Sequence, residues 1–158
     1  MVNPWNNLDV IMQNEDYTNA IWNFILNQAF PAPNYIIVPE YRFFDGQGWA
    51  DLAVVRLGDP NRLILVYEGK RVGGQFHTMN HALGQALACA NSYGHNHNPA
   101  LIAALGTSFV VARSDGTPST AFHANQNGIS DITDRDNWDK IAARMIQIRN
   151  WNGSYAGL

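Results

Sequence analysis

The stretch from residue 49 to residue 71 constrains the fold of this chain more than any other. It contains two apolar runs, at residues 52–57 and 63–67, and between them lie the turn-forming residues Gly58-Asp59-Pro60-Asn61. This pattern predicts a β-hairpin. A turn that is symmetric about the Asp59–Pro60 bond would pair Leu57 with Arg62 and Asp51 with Glu68.

The second strand of this hairpin is apolar on both faces until it reaches Glu68. Such a strand is typical of a sheet that other layers cover on both sides. Because side chains alternate along a strand, Ile64, Val66, Glu68 and Lys70 are predicted to share one face. The carboxylate and the ammonium therefore come where a buried strand ends.

Two carboxylates that face each other across neighbouring strands repel, so Asp51 and Glu68 need a compensating charge. A divalent cation would convert the repulsion into coordination, and carboxylate oxygens suit Mg²⁺ or Mn²⁺. Lys70 could then orient or activate a water or stabilise charge on a phosphate. The alternative is an ordinary surface salt bridge at a strand end, which contributes little to stability.

Asp51 followed, after sixteen residues, by Glu68-Gly69-Lys70 resembles the D…(D/E)-x-K core of the PD-(D/E)XK phosphodiesterases, which have the restriction-endonuclease-like fold. In that family the aspartate opens the second strand of a core hairpin and the E-x-K ends the third, with one helix before the hairpin and another after it. The resemblance extends over about residues 15–115, and Ala50 stands where the family name has proline.

The resemblance implies metal-dependent hydrolysis of phosphodiester bonds in DNA or RNA. Asp51, Glu68 and the carbonyl oxygen of Gly69 would ligate one or two Mg²⁺ or Mn²⁺ ions, and Lys70 would position the attacking water or the phosphate. Glu15, on the helix before the hairpin, is a weaker candidate metal ligand. Its alternative role is to stabilise the first turn of that helix through the helix dipole.

The helix after Lys70 often carries, in this family, a glutamine followed four residues later by a tyrosine. Gln85 is followed at that spacing by Cys89, with Tyr93 a further four residues along. Gln85 is therefore a candidate site residue that could equally point into solvent. Arg71 and His77 could contact a nucleic-acid backbone in a secondary role.

Periodicity and turn chemistry predict the remaining elements. We expect one α/β domain over residues 1–158, with a central mixed sheet that contains an antiparallel meander and is flanked by helices, as in the restriction-endonuclease-like fold. The predicted helices cover residues 15–29, 78–93 and 138–151. Asn14 would cap the first of them, and Asp136 or Asn137 the last. The other predicted strands cover residues 35–44, 101–105 and 109–112, with a short one at 121–124. The first helix is predicted to bury Tyr17, Ala20, Ile21, Phe24, Ile25 and Gln28, and Pro39 predicts an edge strand or a bulge.

Composition restricts the cellular setting and the partners. The chain has 158 residues, 46% of them hydrophobic, and its single cysteine, Cys89, is expected to be a buried thiol in a reducing compartment. The sequence shows no signal peptide and no membrane span, which predicts an intracellular protein of the cytoplasm or nucleus with no membrane partner. A net charge of −3 argues against a broad basic surface, and a homodimer is left open.

Two rival functions compete with the phosphodiesterase hypothesis. His77 and His81 have the spacing that zinc hydrolases use on a helix, but Thr78 stands where those enzymes keep a glutamate base, and the loop imidazoles of His95 and His97 provide no obvious third ligand. The sequence contains neither a glycine-rich phosphate loop nor a G-x-S-x-G nucleophile motif. The other rival is a non-catalytic binding module on the same fold, in which the E-x-K is vestigial.

Overall fold

A six-stranded mixed sheet with helices packed on both faces forms the centre of the structure, a computed structural model in which residues 7–73, 78–93, 98–117 and 129–150 are described. The strands are neighbours in chain order, and all pairs are antiparallel except the parallel pair β3 and β4, which α3 connects. This confirms the predicted α/β architecture. The helices are α1 (Leu8–Ile11), α2 (Glu15–Ala29), α3 (Met79–Ser92) and α4 (Arg135–Arg149), and the strands are β1 (Tyr35–Arg42), β2 (Trp49–Arg56), β3 (Arg62–Lys70), β4 (Ala100–Leu105), β5 (Ser108–Ala112) and β6 (Ser130–Asp131).

The β2–β3 hairpin has the predicted register at the end that carries Asp51 and Glu68. There Leu52 pairs with Tyr67 and Ala53 with Val66, as the symmetric turn requires. Nearer the turn the register shifts by one between Val54 and Val55, so that Arg56, not Leu57, pairs with Arg62. The predicted pairing of Leu57 with Arg62 is therefore wrong.

The register shift also corrects the predicted face of Ile64. Ile64 and Leu65 both pack into the core under α2 and α4, whereas Val66 packs into the core under α3. An extra residue in one strand interrupts the alternation of side chains, so every position before it changes face. Ile64 therefore lies on the opposite side of the sheet from Val66, contrary to the sequence prediction.

Two separate hydrophobic cores cover the two faces of the sheet. The larger one lies between the sheet and helices α1, α2 and α4, and the aromatic rings of Trp22, Tyr67 and Phe109 are in contact within it. The second lies under α3, where Ala82, Ala86 and the buried Cys89 allow close packing. Strand β3 is buried without interruption from Leu63 to Gly69, because both cores meet on it.

Helix α2 has the predicted bounds and the predicted cap, since the side chain of Asn14 accepts a hydrogen bond from the Asp16 N–H. Its predicted apolar face is wrong in part, because Tyr17 is 58% exposed and Phe24 is 45% exposed, and Ala20 and Gln28 are exposed as well. Apolar residues lie on more than one side of this helix, and the orientation observed buries its largest side chain. The buried residues are Thr18, Ile21, Trp22, Ile25 and Leu26.

The ends of several elements differ from the predictions. Helix α4 begins at Arg135, and its cap is Asp134, whose carboxylate accepts from the N–H of Asp136; neither Asp136 nor Asn137 is the cap. Strand β1 is an edge strand that ends at Arg42, with a positive φ of 48° at Glu40 beside Pro39. Helix α1 and strand β6 were not predicted, and the predicted strand at residues 121–124 lies outside the described residues. None of the described helices is long and apolar enough to span a membrane.

The aromatic contacts of Trp22 predict that its substitution strongly lowers the free energy of unfolding. Its ring lies 5.7 Å from that of Tyr67 and 5.4 Å from that of Phe109, and its side chain is fully buried. Trp22→Ala should lower the free energy of unfolding by about 3–5 kcal/mol, measured by urea denaturation. The matched control Phe24→Ala, on the same helix but 45% exposed, should cost at most about 1 kcal/mol. Equal losses for the two variants would contradict this assignment of the core.

Candidate active site

Asp51 and Glu68 are tied together by reciprocal hydrogen bonds between their side chains and the opposite strand. The backbone N–H of Asp51 donates to Oε2 of Glu68 at 3.3 Å, and the backbone N–H of Gly69 donates to Oδ2 of Asp51 at 2.8 Å. Each carboxylate is thus fixed by a backbone group of the strand that carries the other. The structure brings together the two acids that the hairpin register predicted to be neighbours.

Lys70 completes this group as a partly buried ion pair. Its Nζ donates to Oε1 of Glu68 at 2.7 Å, and the side chains of Lys70 and Glu68 are only 11% and 4% exposed. An exposed salt bridge at a strand end would have both charges in water. The geometry here argues against that alternative reading, because Glu68 is held within the sheet and Lys70 closes over it.

Burial and charge repulsion strongly perturb the two carboxylates. Burial, together with the negative charge of Asp51, raises the pKa of Glu68 to about 7 although the hydrogen bond from Lys70 opposes the change. Burial also raises the pKa of Asp51, against the stabilising N–H of Gly69 and the charge of Lys70. One ammonium is therefore not enough to keep both acids readily ionised.

Lys70 is held in its charged form. Burial alone would lower its pKa, but the hydrogen bond to Glu68 and the charges of Glu68, Asp51 and Glu15 outweigh burial, so that the pKa of Lys70 is raised. Near neutral pH this side chain is an ammonium that donates hydrogen bonds. It can stabilise anionic oxygen atoms, but it is poorly suited to removing a proton.

Asn19 and Tyr67 support Asp51 from the α2 side of the sheet, and the sequence analysis missed both. The Tyr67 hydroxyl donates to Oδ1 of Asn19 at 2.9 Å, and the Asn19 side chain is hydrogen-bonded to the Asp51 carboxylate, which lowers the pKa of Asp51. Gly69 lies against this pair, and a Cβ there would overlap both Oδ1 of Asn19 and the hydroxyl of Tyr67. The only signal in the sequence was the glycine between Glu68 and Lys70.

Glu15 lies beside the site, at the start of α2. Its Oε2 accepts a hydrogen bond from the backbone N–H of Arg71 at 3.3 Å, and its charge raises the pKa of Asp51. Over the described ranges, however, no three or more histidine, cysteine, aspartate or glutamate side chains are grouped closely enough to hold a metal ion. Glu15 therefore forms no three-carboxylate cluster with Asp51 and Glu68 here, and its role as a metal ligand stays a prediction.

Gln85 lies on α3 with its side-chain oxygen buried and, within the described part of the chain, without a hydrogen-bond partner. It precedes Cys89 by one helical turn, so the two side chains share a face. Cys89 packs into the core under α3, and burial raises the pKa of its thiol to about 12. Gln85 therefore has a partly buried side chain on α3, and its role as a site residue stays a prediction.

The histidine alternative is only partly visible. His81 is exposed on α3, whereas His77, His95 and His97 lie outside the described residues. The predicted zinc pair therefore stays a prediction, as does the contact of His77 with a nucleic-acid backbone. Arg71 is exposed directly after Lys70, at the edge of the site.

The oxygen donors of Asp51 and Glu68 fit a hard divalent cation. Mg²⁺ is commonly bound through one or two carboxylates, with waters and substrate phosphate completing its shell, so a cluster of three acids is not required. Burial and the charge of Asp51 raise the pKa of Glu68, and a bound cation would oppose both effects.

Comparison with known proteins identifies a similar fold but no family. No protein-family model matches the chain, and no curated protein matches it. Among solved structures, the cryo-EM structure of the DrdV–DNA complex is similar to this chain, with a TM-score of 0.58 and 13% sequence identity. The match covers 85% of this chain but only 12% of that one, so the chain corresponds to a small part of the larger protein. At this identity the similarity shows the fold, which is consistent with a restriction-endonuclease-like architecture.

The close packing at Gly69 predicts that its substitution is costly. Gly69→Ala should lower the free energy of unfolding by about 1–3 kcal/mol, because the added methyl group must displace Asn19 and the buried Tyr67 hydroxyl. Gly84→Ala is the matched control, since a Cβ at this exposed position of α3 has no neighbour within 4 Å. It should be neutral or stabilising by up to about 1 kcal/mol. Thermal or urea denaturation measures both, and equal effects would refute the packing argument.

The raised pKa of Glu68 predicts a specific dependence of stability on pH. Between about pH 4.5 and pH 7 the folded protein keeps a proton on Glu68 that the unfolded chain has lost, so stability should fall as the pH rises through this window. Compared with Glu68→Gln, the native protein should lose roughly 3 kcal/mol more over that range. Urea denaturation at several pH values measures the difference. Glu40→Gln, at an exposed position of β1, should follow the native curve, and parallel curves for native and Glu68→Gln would contradict the assignment.

Proposed function

We propose that this chain is a metal-dependent phosphodiesterase that hydrolyses nucleic acid. The observation that supports this most strongly is the buried carboxylate of Glu68, only 3% exposed, held between Lys70 and the backbone of Asp51 at the end of a covered strand. Burial and repulsion push this second acid toward protonation, which makes it costly at a purely structural strand end. A site that binds a cation does gain from it.

Asp51 and Glu68 are the side chains that would hold Mg²⁺ or Mn²⁺, with the carbonyl oxygen of Gly69 as a further ligand and Glu15 as an outer one. When bound, such an ion lowers the pKa of a water and neutralises charge on the phosphate. Asn19 and the Gly69 N–H fix the orientation of Asp51, so that its carboxylate is positioned before any ligand arrives. The described residues thus supply a preorganised pair of acids.

Lys70 would act as a charged hydrogen-bond donor to the substrate. Its ammonium is kept protonated by Glu68 and lies 2.7 Å from that carboxylate. This hydrogen bond fixes the position of the ammonium and leaves its other N–H groups for a ligand. A phosphate oxygen or a water approaching the two acids would meet a positive charge. Arg71, exposed beside it, would contact the phosphate backbone, and Gln85 would provide a polar contact from α3.

DNA is the favoured substrate. The structure that shares this fold is described as a complex of DrdV with DNA, which supports nucleic acid, and DNA in particular, as the partner of this chain. The choice between DNA and RNA rests on that analogy alone, because no described residue distinguishes the two sugars.

A non-catalytic binding module is the second candidate, and one observation favours it. Both oxygens of Glu68 already accept hydrogen bonds from protein groups, Oε1 from Lys70 and Oε2 from the Asp51 N–H. A carboxylate with both oxygens hydrogen-bonded can hold the two strands together without binding an ion. Metal binding, measured apart from cleavage, distinguishes the two candidates.

The proposal predicts cleavage that depends on both the cation and Lys70. We expect Mg²⁺ or Mn²⁺ to support hydrolysis of labelled DNA or RNA, chelator to abolish it, and Asp51→Asn and Lys70→Ala each to lower the rate at least about 100-fold, since each removes a charge at the reacting phosphate. Lys140→Ala is the matched control, because Lys140 is the other lysine of the chain and is exposed on α4. It should retain native activity.

Thermal denaturation with and without Mn²⁺ provides the second readout. Native protein and Lys140→Ala should be stabilised by the ion, and Asp51→Asn should not. Cleavage that persists in chelator, or that survives both site substitutions, would contradict the mechanism. A protein that shows neither stabilisation by Mn²⁺ nor cleavage would support the binding module instead.

A further inference from the structure

Exposed aromatic side chains lie in the turn between β1 and β2 and at the start of β2. Phe44 is 77% exposed and Trp49 is 58% exposed, and Trp49 begins the strand that carries Asp51 two positions later. Two residues along a strand span roughly 7 Å. Trp49 is therefore separated from the candidate active site by about the length of one extended nucleotide.

Contacts with α3 hold this turn in place. The backbone N–H of Phe44 donates to the Ser92 hydroxyl at 3.0 Å, and the Tyr93 hydroxyl donates to the carbonyl oxygen of Arg42 at 2.6 Å. The Tyr93 ring stacks on Tyr41, with centroids 5.6 Å apart, and meets the ring of Phe44 edge-on at 5.7 Å. Phe44 is thus held on the α3 side of the turn. Arg42 and Trp49 follow the α3-facing pair of Tyr41 and Ala50 along the ladder and therefore lie on the opposite face.

Positive charge accompanies the exposed rings. Arg42 pairs with Trp49 across the β1–β2 ladder, and its guanidinium lies 5.9 Å from the centre of the Trp49 ring. An exposed arginine beside an aromatic face combines a contact for phosphate with a stacking surface for a base. The neighbouring acids would repel a polyanion, so an adjacent cationic and aromatic surface is needed to hold it at the site.

We propose that Trp49 and Arg42 form a stacking platform for unpaired bases, so that the substrate is single-stranded nucleic acid or a duplex with a single-stranded end. The bases of an intact duplex are stacked on one another and present only their edges, so they cannot cover an exposed indole. A base that stacks on Trp49 would carry its phosphodiester toward Asp51 and Lys70. This inference rests on the proposed nuclease function and specifies the substrate class of the same site.

The test measures binding separately from cleavage. Fluorescence anisotropy with a labelled single-stranded oligonucleotide, a blunt duplex and a duplex with a single-stranded tail would be recorded in chelator and in Ca²⁺. Native protein should bind the single strand and the tailed duplex more tightly than the blunt duplex. Trp49→Leu should weaken binding of the single strand about 5-fold to 150-fold, because stacking on one aromatic side chain contributes about 1–3 kcal/mol per base. Phe44→Leu, on the α3 side of the turn, should bind as the native protein does.

Aromatic replacement distinguishes stacking from simple apolar contact. Trp49→Phe should retain most of the affinity that Trp49→Leu loses, and Phe24→Leu, at an exposed aromatic position on α2, should bind as the native protein does. All of these positions are at least partly exposed, so melting temperatures should stay close to native and confirm folding. In initial rates measured over a range of substrate concentrations, Trp49→Leu should raise KM far more than it lowers kcat.

Three outcomes would overturn the platform: no binding of any oligonucleotide by the native protein, equal affinity for blunt duplex and single strand, or native affinity in Trp49→Leu. A surface that instead docks another protein would give the first of these. Binding that depends on Trp49 without cleavage under any condition would support the platform and refute the nuclease. Cleavage that is unchanged in Trp49→Leu would refute the platform and leave the nuclease standing.

Discussion

The burial of Glu68 beside Asp51 is the constraint on which the site depends. Strand β3 is covered by a hydrophobic core on each face, so any charge near its end must be matched by neighbouring groups instead of by water. The structure provides one ammonium, two backbone N–H groups and the Asn19 side chain for two carboxylates, and burial together with the charge of Asp51 still raises the pKa of Glu68 to about 7. Two acids held side by side in this way are the strongest chemical argument for a cation.

The surrounding fold holds the two acids rigidly and leaves the aromatic side chains beside them exposed. On one side of the sheet, Asn19, Tyr67 and Gly69 interlock so closely that no side chain fits at Gly69. On the other, α3 carries Gln85, whose buried side-chain oxygen has no hydrogen-bond partner among the described residues, and supports the turn that leads into Trp49. The acids are thus fixed by the core, whereas the aromatic surface next to them remains accessible.

The sequence predicted the hairpin, the proximity of its two acids and most of the elements, because each of these follows from local patterns. Alternation and turn residues define a hairpin, and the register near Asp51 follows from the position of the turn. The register shift that moved Ile64 to the opposite face could not be predicted, because it depends on how both cores fill around the strand. The rotation of α2 escaped prediction for a similar reason, since apolar side chains occur around more than one side of that helix and tertiary packing chose among them.

Asn19 and Tyr67 could not be identified from the sequence, because their role depends on a contact across 48 residues that no local pattern encodes.

The measurement that tests the account most directly is anomalous X-ray diffraction from crystals of the protein soaked in Mn²⁺. We expect an anomalous peak within coordination distance of the carboxylates of both Asp51 and Glu68, and no such peak in crystals of Asp51→Asn. Well-ordered crystals of the native protein that show no peak between these two side chains, with the Lys70–Glu68 pair unchanged, would contradict it.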